Sequence, residues 1–402
     1  MIGHGPDSSA VRAWVDHDPI LSRLPLAEGG ASVSVVGGAV RDAILGIPHG
    51  RDVDLVVEGD AIAFARVVGH AMAGRVVAHE RFGTARLEFG HGRHLDLVSA
   101  RRETYPEPGA LPVVAPGTIL DDLARRDFTV NAIAYGLSGA AAGVVLDPHG
   151  GLADIADERI RLLRPGAFTE DPSRVVRALR YAARLGFRLE EATEAEARVC
   201  MRSLDLSSSR VGDELRRMLE EPSAVRALDI AAALGAAWPT DPEARATGLG
   251  RLDRALARPG APDPPTWALR LGVGLTPEAA SRTAVAGWAR AIAAEVQAGP
   301  ALATQLERVS VPSGIDAALR NSPPATQVGA AIAGAEIVGR WWAQWRDLEP
   351  AVSGSDLVAA GVPPGPAIGR ALRAVRAAVL DDEVRGVEEQ MSLALSIAAP
   401  LA

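Results

Sequence analysis

The stretch VVGGAVRDAILGIPHGRDVDLVV, from Val35 to Val57, joins a glycine pair, an arginine and two aspartates one residue apart. It reads as a strand, a tight turn, a short helix and a second strand. Gly37 and Gly38 fall where the first strand turns into AVRDAILG, and without side chains they let backbone amides approach an anion at a helix N-terminus. The same pair also fits an ordinary tight turn. Arg41 lies one turn into the helix, where a guanidinium can reach that anion. In RDVDLVV, strand alternation puts Asp52 and Asp54 on one face and turns Val53 and Leu55 towards apolar packing. Neighbouring carboxylates repel unless a cation lies between them, and hard magnesium prefers such oxygens. Asp96, in RHLDLVS, offers a third carboxylate on another predicted strand. Two metals held by such a cluster activate a hydroxyl and stabilise a pentavalent phosphorus with its leaving group. The bland account of all three is a set of solvent-facing edge residues.

Around this stretch the chain changes texture once. From Ala31 to about Leu163, β-rich runs such as SVSVV, VDLVV, ARLEF and HLDLV alternate with the helical AVRDAILG and DAIAFARVVGHAMAG, which argues an α/β or α+β domain round a short sheet. A short helical preamble precedes it. After Leu163 the apolar residues recur at helical spacing, with Gly and Pro breaks at RPGAPDPPT, VSVPSGI and NSPPAT. The fold class expected is therefore α+β, a mixed-sheet N-terminal region followed by helical domains.

Composition bounds the rest. At 402 residues and 48% hydrophobic content the chain can bury more than one core. Cys200 is the single cysteine, so an intrachain disulfide is impossible and a reducing, cytoplasmic setting fits. No apolar run reaches the ~18 residues of a membrane span, and the opening residues lack the pattern of a signal peptide. Net charge is −8, yet there is no lysine: all 42 basic residues are arginine, and between Arg159 and Arg217 they outnumber the acids. A basic surface can sit locally on an acidic protein. The other account is a solvated helical face in an arginine-biased sequence.

Several motifs then agree in order: GGAVRD with RDVDLVV, FGTARLEF, DLVSARRETY, DLARRDFTVNAIAY and EDPSRVVRALRYAARLGF, with SGSDLVAAGVPPGPAIGRAL near the end. On these the sequence resembles the class II tRNA nucleotidyltransferase and bacterial poly(A) polymerase family, densely over about residues 31 to 225 and again near 352 to 377. The resemblance implies a polymerase-beta-like nucleotidyltransferase head over 1–163, a helical neck over 164–230, a helical body over 231–350 and a helical tail over 351–402 that contacts tRNA. It implies that Gly37, Gly38 and Arg41 bind the nucleoside triphosphate, and that Asp52 and Asp54 hold catalytic Mg2+. The terminal hydroxyl of an RNA would then attack the α-phosphorus of CTP or ATP and release pyrophosphate. Arg126, Asp127 and Asn131 fall on the motif that positions sugar and triphosphate. Read without the family, that stretch equally fits a helix N-terminus capped by Asp127 or Thr129.

Asp171 and Arg174 are three apart, neighbours on one helix face with Arg177 further along it, and Pro172 suits the first turn. An ion pair is the ordinary reading. The family uses this motif to read the incoming base, a carboxylate accepting from an exocyclic amine and an arginine donating to the ring. Arg177 and Arg180 divide between phosphate contact and helix packing. The Gly- and Pro-rich stretch from Arg101 to Ile119 reads as a lid-like loop. In the family it shifts specificity from cytosine to adenine and is shortened or altered in enzymes that add only the cytosines; here it is full length, with Arg102, Glu103 and Tyr105 retained.

Arg210, Arg216 and Arg217 fit either RNA contact or pairing with Glu214 and Glu220. Arg370, Arg373 and Arg376 form a three-residue repeat suited to a tRNA backbone or to an exposed helix face. Trp341, Trp342 and Trp345 read as packed core rather than base-stacking platforms. His17 and Asp18 adjoin, but the spaced histidines of a metal-dependent phosphohydrolase domain are missing. The expected activity is addition of CMP and AMP to the 3′ end of tRNA to build or repair the CCA terminus. The alternatives are an enzyme adding only the terminal A, a poly(A) polymerase, and a non-catalytic RNA-binding relative, against which the intact aspartates argue. Nothing in the sequence assigns an oligomeric state.

Overall fold

The computed structural model describes residues 2–3, 6–27, 30–48, 52–104 and 113–399. They fall into two compact units, Met1–Leu204 and Asp205–Ala402.

The first unit is built on one sheet. Its strands are β1 (Ile2–Gly3), β2 (Ser32–Val36), β3 (Asp52–Glu58), β4 (Arg75–His79), β5 (Thr84–Glu88) and β6 (His94–Ser99). The hairpin strands β7 (Arg101–Thr104) and β8 (Val113–Pro116) stand apart, and β9 (Ala134–Gly136) and β10 (Val145–Leu146) complete the set. The main sheet runs β1-β10-β9-β2-β3-β6-β5-β4. Its neighbours are antiparallel except β3 and β6, which pair in parallel. β2 is SVSVV with Val33, Val35 and Val36 fully buried, as a central strand covered on both faces requires. β3 instead alternates at its start, Asp52 and Asp54 exposed with Val53 and Leu55 buried, and is apolar and buried from Leu55 to Val57 before Glu58 ends it. The helix Ala61–Met72 covers this part; Asp60 caps it by accepting from the amides of Ile62 and Ala63, and Phe64, Ala65 and Val68 are buried.

The mixed sheet followed by helices is the expected class. Two local readings differ. The first residues contribute an edge strand, β1, as well as the helix Pro6–His17. The stretch from Arg101 to Ile119 is also more than a loop: its ends pair as the β7–β8 hairpin, Arg101 opposite Pro116 and Thr104 opposite Val113. Proline hid the second arm, yet Pro116 closes β8 at the edge of a two-stranded ribbon, where a missing amide costs little. Arg102 is exposed on that hairpin; the Glu103 side chain and Tyr105 lie outside the described residues.

The second unit is helical among its described residues. Trp341 and Trp342 are each 2% exposed, and their indole nitrogens donate to Asp316 Oδ1 at 2.7 Å and Gln327 Oε1 at 3.0 Å. They are core, as their spacing predicted. Asp316 is a hub: it also accepts from Arg320 and, at 3.0 and 2.9 Å, from Arg376 on the helix Pro366–Leu380. Arg376 therefore leaves the expected stripe, because steps of three residues wind about 60° round a helix, while Arg370 and Arg373 remain exposed. Burial works to raise the Asp316 pKa, but bonds from Arg376 and Trp341 overcome it and hold the carboxyl below its ordinary value. No described helix is long and apolar enough to cross a membrane.

Replacing Asp316 with Asn should cost on the order of 3 kcal/mol at pH 7, since it leaves the part-buried Arg376 charge uncompensated. A carboxyl whose folded pKa is depressed contributes stability above its unfolded pKa and loses it as pH falls. Denaturant unfolding of wild type and Asp316→Asn should therefore draw together as pH falls below about 4. A gap that stays constant across that range would count against the hub.

Candidate functional site

Two strand pairings assemble the acidic end of the sheet. In the parallel β3–β6 ladder Asp54 lies opposite Asp96 and Asp52 opposite His94, so all four side chains share one face. His94 Nε2 is 3.1 Å from Asp52 Oδ1 and 3.8 Å from Asp96 Oδ2. Arg86, across on β5, forks both oxygens of Asp96 at 2.8 and 2.9 Å. Asp96 thus joins the acidic face but spends both its oxygens on an arginine. Neither His94 nor Arg86 was picked out by the sequence reading. For His94 the signal was there, since it stands two residues before Asp96 in one strand.

Among the described residues no group of three or more His, Cys, Asp or Glu side chains could hold a metal ion. Magnesium does not require such a group: it is commonly held by one or two carboxylates and the phosphates of its substrate. Asp52 and Asp54 supply two exposed, same-face oxygen donors of the right hardness, and on that chemistry they fit.

The β2–β3 pairing, Val35 opposite Leu55, brings the glycine turn beside this end of β3. Gly37 has φ 73° and ψ −131°, and its amide donates to Ile133 O at 2.9 Å. A Cβ there would lie 2.7 Å from Arg126 Nη1, so the turn requires glycine for its backbone and for that approach. Gly38 opens the helix Gly38–Ile44, and a Cβ on it would meet Arg41 Nη2 at 3.4 Å. Arg41 itself is 1% exposed. Its fork bonds Asp42 Oδ1 at 2.9 and 2.6 Å and Asn131 Oδ1 at 2.5 Å, rather than reaching outward. Asp42 also accepts from Arg184 at 3.3 Å.

The RRDFTVN segment supplies the other wall. Arg126 donates to Asn131 O at 3.3 Å and Asp122 Oδ2 at 3.2 Å, and its Nε is buried with no hydrogen-bond partner. Asp127 is buried; its Oδ1 accepts from the Phe128 amide at 2.9 Å and Asn131 Nδ2 at 3.3 Å, its Oδ2 from Arg177 Nε at 2.7 Å. Burial alone would raise its pKa, yet the Arg177 charge and these bonds hold it below the ordinary carboxylate value. Asp127 does act locally on the Phe128 amide, but its stronger bond is to a residue fifty positions away.

The EDPSR segment departs from a simple helix face. Asp171 is extended (φ −142°, ψ 95°) and precedes the helix Ser173–Leu185; its Oδ1 accepts from the Ser173 amide at 3.1 Å and hydroxyl at 2.6 Å. Arg174 Nη1 lies 3.6 Å from Glu170 Oε2 and, though buried, makes no hydrogen bond. Pro172 stands just ahead of the helix, and Arg177 is drawn to Asp127. Arg180 is buried, its guanidinium carbon 4.6 Å from the centre of the Tyr181 ring. In the second unit Arg210 and Arg217 are exposed on the helix Ser209–Glu220, and Arg217 bonds Glu214 at 3.1 Å.

Residues 33–161 match the Poly A polymerase head domain family. The chain is 34% identical to the CC-adding tRNA nucleotidyltransferase of Deinococcus radiodurans over 94% of its own length and 91% of that protein. It is 39% identical to the A-adding tRNA nucleotidyltransferase of Halalkalibacterium halodurans over 52% of this chain, and spans only about half (51%) of that relative's length. The Thermotoga maritima CCA-adding enzyme, solved in complex with tRNA, superposes with a TM-score of 0.76 at 26% identity, covering 97% of this chain and 98% of that one.

Arg41→Met should destabilise the chain by about 4 kcal/mol, because buried Asp42 would lose its principal cation. Arg41→Lys, which keeps the charge but not the fork, should restore less than half of that loss. Chemical denaturation of the three proteins measures both, and a loss under ~1 kcal/mol for the methionine variant would be that of an ordinary exposed pair.

Proposed function

The chain belongs to the class II tRNA nucleotidyltransferase family, and we propose that it extends the 3′ end of tRNA with CMP and AMP from CTP and ATP to build or repair the CCA terminus. The observation that carries this reading is the convergence of a side-chain-less turn at Gly37, the arginine of RRDFT and the Asp52–Asp54 pair at one end of one sheet.

In the proposed reaction the terminal hydroxyl oxygen of the RNA bonds to the α-phosphorus as the bond to the β-phosphate oxygen breaks, and pyrophosphate leaves. Mg2+ bound by Asp52 and Asp54 would supply the Lewis acid for this transfer. The chain's own groups bind and orient. The Gly37 turn admits the phosphates, and Arg126, with a buried donor that no protein group satisfies, stands beside it to receive negative charge. Asp127 and Asn131, braced on Arg177 and Arg41, hold the sugar side of the pocket. Asp171 and Arg174 read the base. Arg174 keeps a donor without a hydrogen-bond partner, and Asp171 sits in extended backbone ahead of the helix, so both suit a pairing edge. Arg102, Glu103 and Tyr105 belong to the loop that shifts the pocket between bases. Arg210, Arg217, Arg370 and Arg373 are proposed RNA-backbone contacts, within a head, neck, body and tail division at 163, 230 and 350. The single cysteine supports a reducing, cytoplasmic setting.

The likeness to the Halalkalibacterium enzyme favours a second reading, addition of the terminal A alone. Transcripts ending before CCA, after C and after CC, each given CTP, ATP or both, separate the two. We expect two cytosines followed by one adenosine. Extension of the CC-ended transcript alone, and only by ATP, would overturn full CCA addition, and long adenosine tails on unrelated RNA would make the chain a poly(A) polymerase.

Asp52→Ala and Asp54→Ala should each lower incorporation at least 1,000-fold, on the order of 4 kcal/mol in the barrier. Binding of tRNA should stay within a few-fold of wild type. Near-normal incorporation by either variant, with tRNA affinity measured alongside, would remove the pair from the chemistry.

A further inference from the structure

Tyr181 sits among three arginines of the first unit. It follows Arg180 and stands four residues after Arg177 on the helix Ser173–Leu185, so Arg177 lies one turn above it. The guanidinium carbons of Arg180, Arg41 and Arg177 lie 4.6, 5.2 and 5.6 Å from its ring centroid. Phe128, next to Asp127, meets the ring edge-on, with centroids 5.9 Å apart at 79°. The Tyr181 hydroxyl oxygen accepts from Arg177 Nη2 at 3.5 Å. One half-buried ring thus touches the glycine-turn helix through Arg41, the RRDFT segment through Phe128 and the base-reading helix through Arg177 and Arg180.

Three like charges round one side chain repel, and Asp42 and Asp127 offset part of that repulsion through Arg41 and Arg177. The ring does the rest. Its negative faces attract guanidinium, and its flatness fixes the plane in which each fork can lie. An aliphatic side chain of similar volume fills the space without either effect. The same network ends at Arg126, whose buried Nε lacks a hydrogen-bond partner and whose Nη1 closes on the Gly37 turn. Arg126 joins the cluster through Asn131, whose carbonyl accepts from Arg126 and whose side-chain oxygen accepts from Arg41.

We infer that Tyr181 is a positioning residue for the triphosphate of the incoming nucleotide: its aromatic face holds the Arg41, Arg177 and Arg180 guanidiniums, and Asn131 and Asp127, bonded to Arg41 and Arg177, carry that order to Arg126 at the Gly37 turn, which receives the anion. The inference rests on the nucleotide-transfer reading. It requires the ring and not the hydroxyl, because the 3.5 Å bond lies at the limit of hydrogen bonding.

Full-length Tyr181→Leu and Tyr181→Phe provide the test, with equilibrium binding of CTP and ATP, tRNA affinity, thermal unfolding and the separate KM and kcat of incorporation measured for each. Leucine should weaken binding of both nucleotides and raise their KM about tenfold, leaving kcat at saturating nucleotide and tRNA affinity within about twofold. Phenylalanine should stay within twofold of wild type in every measurement. If the leucine variant does not fold, Tyr181→Met takes its place with the same expectation. Unchanged nucleotide binding in the aliphatic variant overturns the inference. So does a parallel loss of nucleotide binding, tRNA binding and unfolding temperature, which would mark the ring as scaffold. A phenylalanine variant as impaired as the leucine one would transfer the role to the hydroxyl and also overturn it. Wild-type chain that binds CTP and ATP without extending tRNA would sink the transfer reading alone, and the binding comparison would still decide the part Tyr181 plays.

Discussion

A guanidinium cannot lose its ion character inside a protein, so burying one obliges the fold to surround it. Arg41, 1% exposed, imposes that obligation on the first unit. Asp42 meets it from the same helix, Asn131 from the RRDFTVN segment and Tyr181 from the helix Ser173–Leu185. Segments ninety and one hundred and forty residues away are thereby tied to the glycine turn. Each partner then has a second commitment. Asn131 bonds Asp127, Asp127 bonds Arg177, and Asp42 bonds Arg184. Arg41, whose place in the helix suited the grip of an anion, is the post to which these segments are fastened.

Strand register performs the complementary task. Because β2 and β3 are antiparallel, the end of one and the beginning of the other coincide, and the turn at Gly37 falls beside Asp52 and Asp54. Because β3 and β6 are parallel and Asp54 faces Asp96, a second acidic strand shares that edge. A slip of one residue would turn Asp54 into the layer that now holds Val53 and Leu55, both fully buried. The apolar faces that hold the sheet together also fix which way the carboxylates point. Arg86 then takes Asp96, which leaves Asp52 and Asp54 as the pair presented at that edge.

What was legible in the sequence is what depends on short-range period. Alternation predicted the shared face of Asp52 and Asp54 and the inward turn of Val53, and helical spacing predicted that Trp341 and Trp342 are core. Partner choice was not legible. Spacing of three paired Asp171 with Arg174, but the carboxylate caps Ser173 and the arginine turns to Glu170, because Pro172 starts the helix only after Asp171. Arg177 and Arg376 looked like members of surface stripes, yet each finds an aspartate from a distant segment. Period describes one element, and these partners belong to two.

The same distinction governs the arginine usage of a chain with no lysine and a net charge of −8. Counting basic residues says little about a binding surface when several are committed to internal acceptors. Arg245, wholly buried, serves Asp229 and the Thr240 carbonyl; Arg376 serves Asp316; Arg177 serves Asp127. Guanidinium suits this work because it is weakly hydrated and presents several donors in a fixed plane, so one residue can satisfy acceptors on two segments at once. A lysine at position 41 could meet one of its acceptors but would lose the double approach to Asp42 and the guanidinium's place over the Tyr181 ring. Only exposed arginines, such as Arg210, Arg370 and Arg373, are placed to meet an anionic surface. Salt screens such exposed charges and leaves the buried network untouched.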